Sequence, residues 1–418
     1  MLTLRPEPSG TLLHQSAPSA RRVRSVSPSS GQTSDEDAVL TITVHVALDT
    51  LEAEWRQMEQ RDDLSLHQSY DWCAAWAAAH GSKVAVIRGR MGRRPLFLLP
   101  LEIVRLGPFR IARFIGSPHN NLNTGLFAAD CPPIAAQVLA EALKKLHRLA
   151  DLVALEKIAF DWRGTPHPLA GLPALLNQNA AYQLPLFPDF EATLSQINAK
   201  RRRKKFRVSE KRLQALGGYE HMVARTPEEK RALLDLFFEQ KAIRFKALGL
   251  PNVFQDEPTR RFFHDLVQRP GRNSDYPLVL HAIRLKGDQE GRVVAIAGLS
   301  RKGDHVICQF GSIDETMAAD ASPGELLFYL MIRQLCGEGV QLFDFGIGDQ
   351  QYKRSWCTVT TPHYDIVLPL TLSGQLAASL HRLTVAAKTA IKRNRGLYDR
   401  VQRLRSRRQE TDPATSED

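Results

Sequence analysis

At 418 residues, 43% hydrophobic and 24% charged, the chain exceeds what one ordinary hydrophobic core organises, so two lobes with tails are expected. No apolar run approaches the roughly 20 residues that cross a bilayer. Arg21, Arg22 and Arg24 are followed by no apolar segment, so a signal peptide is not expected and a cytoplasmic protein is. The net charge of +11 is uneven: residues 200–212 carry +8, residues 373–408 carry +9, and the remainder is mildly acidic. Two basic patches on an acidic body suit a phosphate-bearing partner or an anionic membrane surface.

Residues 1–37, rich in Ser, Pro and Arg, lack apolar periodicity and read as a disordered tail. A first lobe is expected over 38–189. It starts with an alternating strand at 39–46 and continues with helical patterns at 48–60 and 70–80, the second closed by Gly81. Strands at 84–89 and 95–106 flank a turn at 91–94; a third lies at 110–116, a helix at 132–149 and a strand at 152–160. A second lobe is expected over 190–372. One helix is predicted from 191 to about 216, then helices at 227–247 and 256–269. Strands follow at 278–285, 293–302 and 305–313, then a helix after Ser322-Pro323-Gly324, a strand at 340–346 and a last strand at 362–370. A basic amphipathic helix is predicted over 373–408 and a short disordered tail over 409–418. Hairpin strands followed by helix and strand, once per lobe, indicate a mixed α/β (α+β) class rather than a strict βαβ alternation.

Chemistry concentrates between residues 298 and 357. Serine is a good helix cap and proline at the first helical position loses no hydrogen bond, so Ser322, Pro323 and Gly324 open a helix whose free N–H groups can meet an anion. The same triplet also suits an ordinary helix start. Asp344 interrupts an apolar strand, Gly346 and Gly348 free the backbone at its end, and Tyr352 and Lys353 follow. Acyl transfer needs an oriented nucleophile, a polarised carbonyl and a proton donor, which these three side chains could supply; a turn cap and a solvated lysine are equally consistent. His119 and Asn120, on a polar loop, are candidates to line a cleft between lobes. Trp356, Lys200, Arg203 and Lys204 are candidate substrate contacts. The thirteen histidines show no H-E-x-x-H, and the five cysteines, widely scattered, form no C-x-x-C pair, so no metal site and no disulfide framework is expected. Aromatic interleaving is nearly absent from 200–212, so sequence-specific DNA binding is not expected.

These segments resemble a known family. The basic helix KRRRKKFRVSEKRLQALGG from Lys200, the hairpin VVAIAGLSRKGDHVICQFGSID, SPGELL at 322–327 and FDFGIGDQQYKRSW at 343–356 are similar to the GNAT-type acyltransferase domain of the CelD group of cellulose-biosynthesis proteins. They resemble, more distantly, the FemAB aminoacyl transferases. YDWCAAW from Tyr70, LLPLEIV and RFIGSPHNN fit in the first lobe. The resemblance implies two GNAT-like lobes, each a mostly antiparallel twisted sheet flanked by helices. It implies an acyl-CoA co-substrate such as acetyl-CoA, no tightly bound cofactor, and pyrophosphate at the Ser322 helix. In this reading Tyr352 protonates the leaving thiolate, Asp344 accepts a proton and Lys353 stabilises charge. The acceptor would be an amine or hydroxyl on a small molecule, glycan or peptide, in polysaccharide or cell-envelope synthesis. The phosphate loop is poorer in glycine than is usual for that family, which leaves an aminoacyl-tRNA donor, using 200–212, as an alternative. A third reading is a non-catalytic scaffold docked on a membrane complex through 373–408.

Overall fold

In the computed structural model, residues 39–314, 316 and 321–393 are described. The expected tails at 1–37 and 409–418, and the tail helix beyond 393, lie outside them. In chain order the first half contributes β1 (Leu40–His45), α1 (Glu52–Met58), α2 (Tyr70–His80), β2 (Lys83–Met91), β3 (Arg94–Leu106), β4 (Phe109–Phe114), β5 (Leu126–Phe127), α3 (Ala136–Lys144) and β6 (Leu152–Ile158). The short strands β7 (Asp161–Trp162), β8 (Thr165–Pro166), β9 (Ala174–Leu176) and β10 (Ala181–Pro185) follow. The second half contributes α4 (Phe190–Ser195), α5 (Ala199–Ala215), β11 (Tyr219–Val223), α6 (Pro227–Ala247), α7 (Glu257–Gln268), β12 (Tyr276–Leu285), β13 (Val293–Lys302) and β14 (His305–Ile313). It ends with α8 (Pro323–Cys336), β15 (Leu342–Ile347), α9 (Gln351–Trp356), β16 (Val359–Thr361), β17 (Tyr364–Pro369) and α10 (Leu372–Arg393).

Two large sheets result, besides the two-stranded β7–β8 hairpin, and each lobe repeats one plan. In the first, β2–β3–β4 is an antiparallel meander, α3 crosses over, and β6 returns parallel to β4. In the second, β12–β13–β14 is the meander, α8 the crossover, and β15 lies parallel to β14. A mixed α/β molecule of two lobes is what the hydrophobic patterning implied.

Two strands leave their own half of the chain. β10 precedes residue 190 yet pairs antiparallel with β15 in the second sheet, and β17 pairs with β6 and β9 in the first. Each lobe therefore completes its sheet with a strand from the other, so a cut at 189/190 does not separate them. Further, the core containing Trp72, Trp76, Phe237, Phe262, Phe263 and Phe310 draws from both halves. A shared apolar core of this kind opposes the relative lobe motion expected of polar domain interfaces.

Local chemistry fixes the ends of the helices. Ser69 caps α2 through the Trp72 N–H, and Gly81 closes it in the left-handed conformation. Thr226 and Glu229 form a reciprocal capping box on α6, with Pro227 in its first turn. The single helix expected from 191 breaks instead at Gln196–Asn198, because Asn198 caps a new start by accepting from the Arg201 N–H.

Candidate functional site

β14 and β15 run in register only from His305–Leu342 to Ile307–Asp344. Beyond that pairing the two parallel strands diverge, opening a notch at their C-terminal ends. Strand alternation sorts its lining. His305 and Gln309 of β14 and Asp344 of β15 turn toward the first lobe. Val306, Cys308, Phe343 and Phe345 turn toward the core beneath α8.

On the first-lobe side, Asn121 spans the notch. Its side chain donates to Gln309 Oε1 (3.0 Å) and accepts from the Ile347 N–H (3.3 Å). The buried His67 reaches the same Gln309 oxygen at 3.1 Å. Burial, above all, lowers the His67 pKa to about 4, so this ring is neutral. Gly346 has φ of +73°, and a Cβ there would lie 2.8 Å from Asn121 Oδ1, so both the backbone and the contact require glycine.

Asp344, expected to accept a proton from substrate, is only 1% exposed. Its carboxylate accepts from Gln183 Nε2 (2.7 Å) and the Gly346 N–H (2.6 Å), with His305 Nε2 at 3.5 Å. Burial works to raise its pKa, but His305 and the hydrogen bonds prevail and hold it below the ordinary carboxylate value. The catalytic expectation is corrected: Asp344 ties β10 to β15 and faces away from Phe345. Lys353 is likewise committed, donating to the Gly346 (3.1 Å) and Ile347 (2.7 Å) carbonyls. It closes the end of β15 rather than reaching solvent.

Tyr352 does face the notch. Its ring packs on Phe328 (5.7 Å, 16°) and edge-on against Phe345 (6.2 Å), and 39% of the residue stays exposed. Its crowded surroundings, then the neighbouring Cys308 and Cys357 thiols, push the phenol pKa up. The hydroxyl therefore stays protonated across the physiological range. Near it, Lys241 of α6 is brought down to about 8, by burial first and then by Arg244.

The helix start differs from the sequence expectation in detail. Ser322 sits at φ +52° and its side chain makes no cap bond; its carbonyl instead accepts from Glu325 and Leu326 N–H. Pro323 is buried, and a Cβ on Gly324 would stand 3.0 Å from Ile313 Cγ2. Glu325 in the first turn carries its own charge to this end. It is matched by Arg202, by Lys205 (3.1 Å) and by the Trp356 indole N–H (3.2 Å).

The sequence pattern missed this cluster, because Arg202 stands in a run of cations that reads as solvated. Arg202 is 2% exposed, stacked 4.1 Å over Trp356, and also bonded to the Ser355 carbonyl and hydroxyl. Trp356 is 1% exposed and is a packing residue, not a substrate contact. Asn120 is also buried, donating to Ile115 O and Asn123 Oδ1 and accepting from Trp72 Nε1. His119 packs among Trp76, Phe254 and Phe263, with its pKa lowered to about 4, mainly by burial. Neither lines an open cleft. Lys200, Arg203 and Lys204 do lie on an exposed face of α5, away from the notch lining.

Residues 200–354 match the family model described as an acetyltransferase (GNAT) domain. No curated protein matches the chain by sequence. Among solved structures, the chain is similar to FemX at 14% identity and a TM-score of 0.57, over 81% of this chain and 99% of that one. The C-terminal DUF2156 domain of an Agrobacterium fabrum protein named for lysylphosphatidylglycerol synthesis matches at 13% identity and TM-score 0.48, over 81% and 97%. A tandem GNAT protein of the clavulanic acid pathway matches at 12% and 0.43, over 79% and 99%. The FemX likeness speaks to the fold. The family match runs from α5 into α9 and covers β14, α8, β15 and Tyr352, so an acetyltransferase (GNAT) domain is matched in the second half of the chain.

Proposed function

We propose that the chain transfers an acyl group from a thioester donor, acyl-CoA, to an amine or hydroxyl, with the donor lying in the notch between β14 and β15. The observation that carries this is the divergence of the strands after Ile307 and Asp344, with the protonated Tyr352 on the helix that follows. The acceptor attacks the carbonyl, the C–S bond breaks, the thiolate takes the Tyr352 proton and the proton lost by the acceptor passes to solvent. Lys241 and Arg244 give the notch a positive lining for an anionic donor. Gly324, Pro323 and the start of α8 flank the phosphate end, and Glu325, already neutralised by Arg202 and Lys205, does not leave a bare charge there.

Calorimetry with acetyl-CoA tests the reading: wild type should bind and Gly324→Trp should not. No heat from wild type at millimolar ligand would count against a CoA donor. The exposed cationic face of α5 favours one second reading, an aminoacyl-tRNA donor. Charged tRNA should then co-purify, and neutralising Lys200, Arg203 and Lys204 should abolish it.

A further inference from the structure

α10 presents apolar residues on two opposite sides. Ala377 and Ala378 pack on β6 and β17, and a Cβ on Gly374 would overlap the Asp151 carbonyl at 1.8 Å, so this side is seated tightly on the first lobe. The opposite side presents Leu372, Leu376, Leu380 and Leu383, 84%, 58%, 47% and 67% exposed. Their spacing confines them to one stripe, about 80° wide at 100° per residue. Leu106, at the tip of the β3–β4 hairpin and 67% exposed, lines one cavity of about 560 Å³ with Leu380.

A second concavity, of about 800 Å³, opens across that hairpin. Lys83, Arg105, Arg110, Arg113 and Arg148 line it, against a single carboxylate, the buried Glu102, which Arg113 occupies. Arg110 is held by Asp151, the residue that also receives Thr371 at the start of α10. No carboxylate among the described residues pairs with Lys83, Arg105 or Arg148. Cations without counter-charge and leucines without cover thus adjoin one another around one anchor, Asp151. The chain beyond Arg393 adds six arginines between 394 and 408 against one Asp.

We propose that this face of the first lobe docks on an anionic phospholipid surface. The leucine stripe and Leu106 enter the interface, and the arginine-lined concavity takes a lipid phosphate. Apolar insertion combined with attraction to acidic headgroups is the usual basis of peripheral binding. Charge complementarity favours this occupant over a second copy of the chain, whose equivalent face would be equally cationic. Among the described residues no helix is long and apolar enough to cross a membrane, so the contact is superficial. The inference does not depend on the acyltransferase reading.

The test is co-sedimentation of the full chain with phosphatidylglycerol–phosphatidylcholine vesicles and with phosphatidylcholine vesicles alone. Binding is expected only to the anionic vesicles and should weaken with salt. Arg105→Glu with Arg148→Glu should lower the partition at least tenfold, taking about fivefold per cation lost. Leu376→Ser with Leu380→Ser and Leu383→Ser should lower it by a similar or larger factor. These positions are exposed, so unchanged melting serves as the folding control. Equal binding to both vesicles, no binding, or indifference to either variant set would overturn the proposal. So would a leucine variant that only converts a dimer to a monomer.

Discussion

Replacing Arg202 by alanine removes a cation of α5 that binds both α8 and α9. Its guanidinium joins α5 to α8 through Glu325 and to α9 through Ser355 and the face of Trp356. Loss of one partner from a buried pair costs about 3–5 kcal/mol, because the remaining charge stays unpaired. Here Glu325 keeps Lys205 at 3.1 Å and is 17% exposed, so the expected loss is about 3 kcal/mol, at the low end of that range. Arg202→Lys should fall between, keeping the charge but losing the fork and the stacking. Arg203→Ala, an exposed neighbour paired with Glu191, should leave stability close to that of wild type. Urea unfolding of the three variants, read by tryptophan fluorescence, measures all of this. An Arg202→Ala protein within about 1 kcal/mol of wild type, or no more affected than Arg203→Ala, would refute the reasoning.

Tyr352→Phe should lower kcat by about 10²–10⁴-fold, the usual range for a lost general acid, with melting unchanged; an active phenylalanine variant removes the proposed proton donor. Because its surroundings raise the phenol pKa, wild-type rates should not fall with pH before about 10, the ordinary tyrosine value; an earlier decline of kcat, followed by steady-state kinetics, would contradict this. Stability should fall on acidification before ordinary carboxylates titrate. His67, His167 and His363 have folded pKa values of about 4 against 6.5. The unfolded chain therefore binds more protons below 6.5, and stability is full above that pH and lost progressively toward 4. A urea midpoint equal at pH 7 and pH 5 would be inconsistent with neutral buried rings. Gly346→Ala should lose about 1–2 kcal/mol from its positive φ and the Asn121 contact; thermal melting indistinguishable from wild type would show that the notch is not so tightly bridged.

Much of the architecture was legible in the amino-acid pattern. Strand alternation and turn residues marked the meanders β2–β4 and β12–β14, and helical periodicity placed the starts of α2, α6 and α7 within a residue or two. The strand exchange was not legible. β10, AYQLP, is short and carries a terminal proline, and nothing local reveals that its partner lies more than 150 residues away. α9 was also missed, since six residues give little periodicity. At the site, residue type identified the segment but not the direction of its side chains. Asp344 and Tyr352 lie eight residues apart, yet alternation on β15 sends the carboxylate to the first lobe, while the phenol, on α9, packs against Phe328 and Phe345 at the notch. Arg202 failed for the opposite reason: charge composition predicts solvation, and only Trp356 and Glu325 explain its burial.

Hydrogen–deuterium exchange with and without acetyl-CoA bears most directly on the placement of the donor. Added acetyl-CoA should slow exchange in 308–313 of β14, at the start of α8 and in α9, leaving the first-lobe strands unaffected. Protection confined to the first lobe, or none anywhere at saturating ligand, would contradict a thioester bound between β14 and β15.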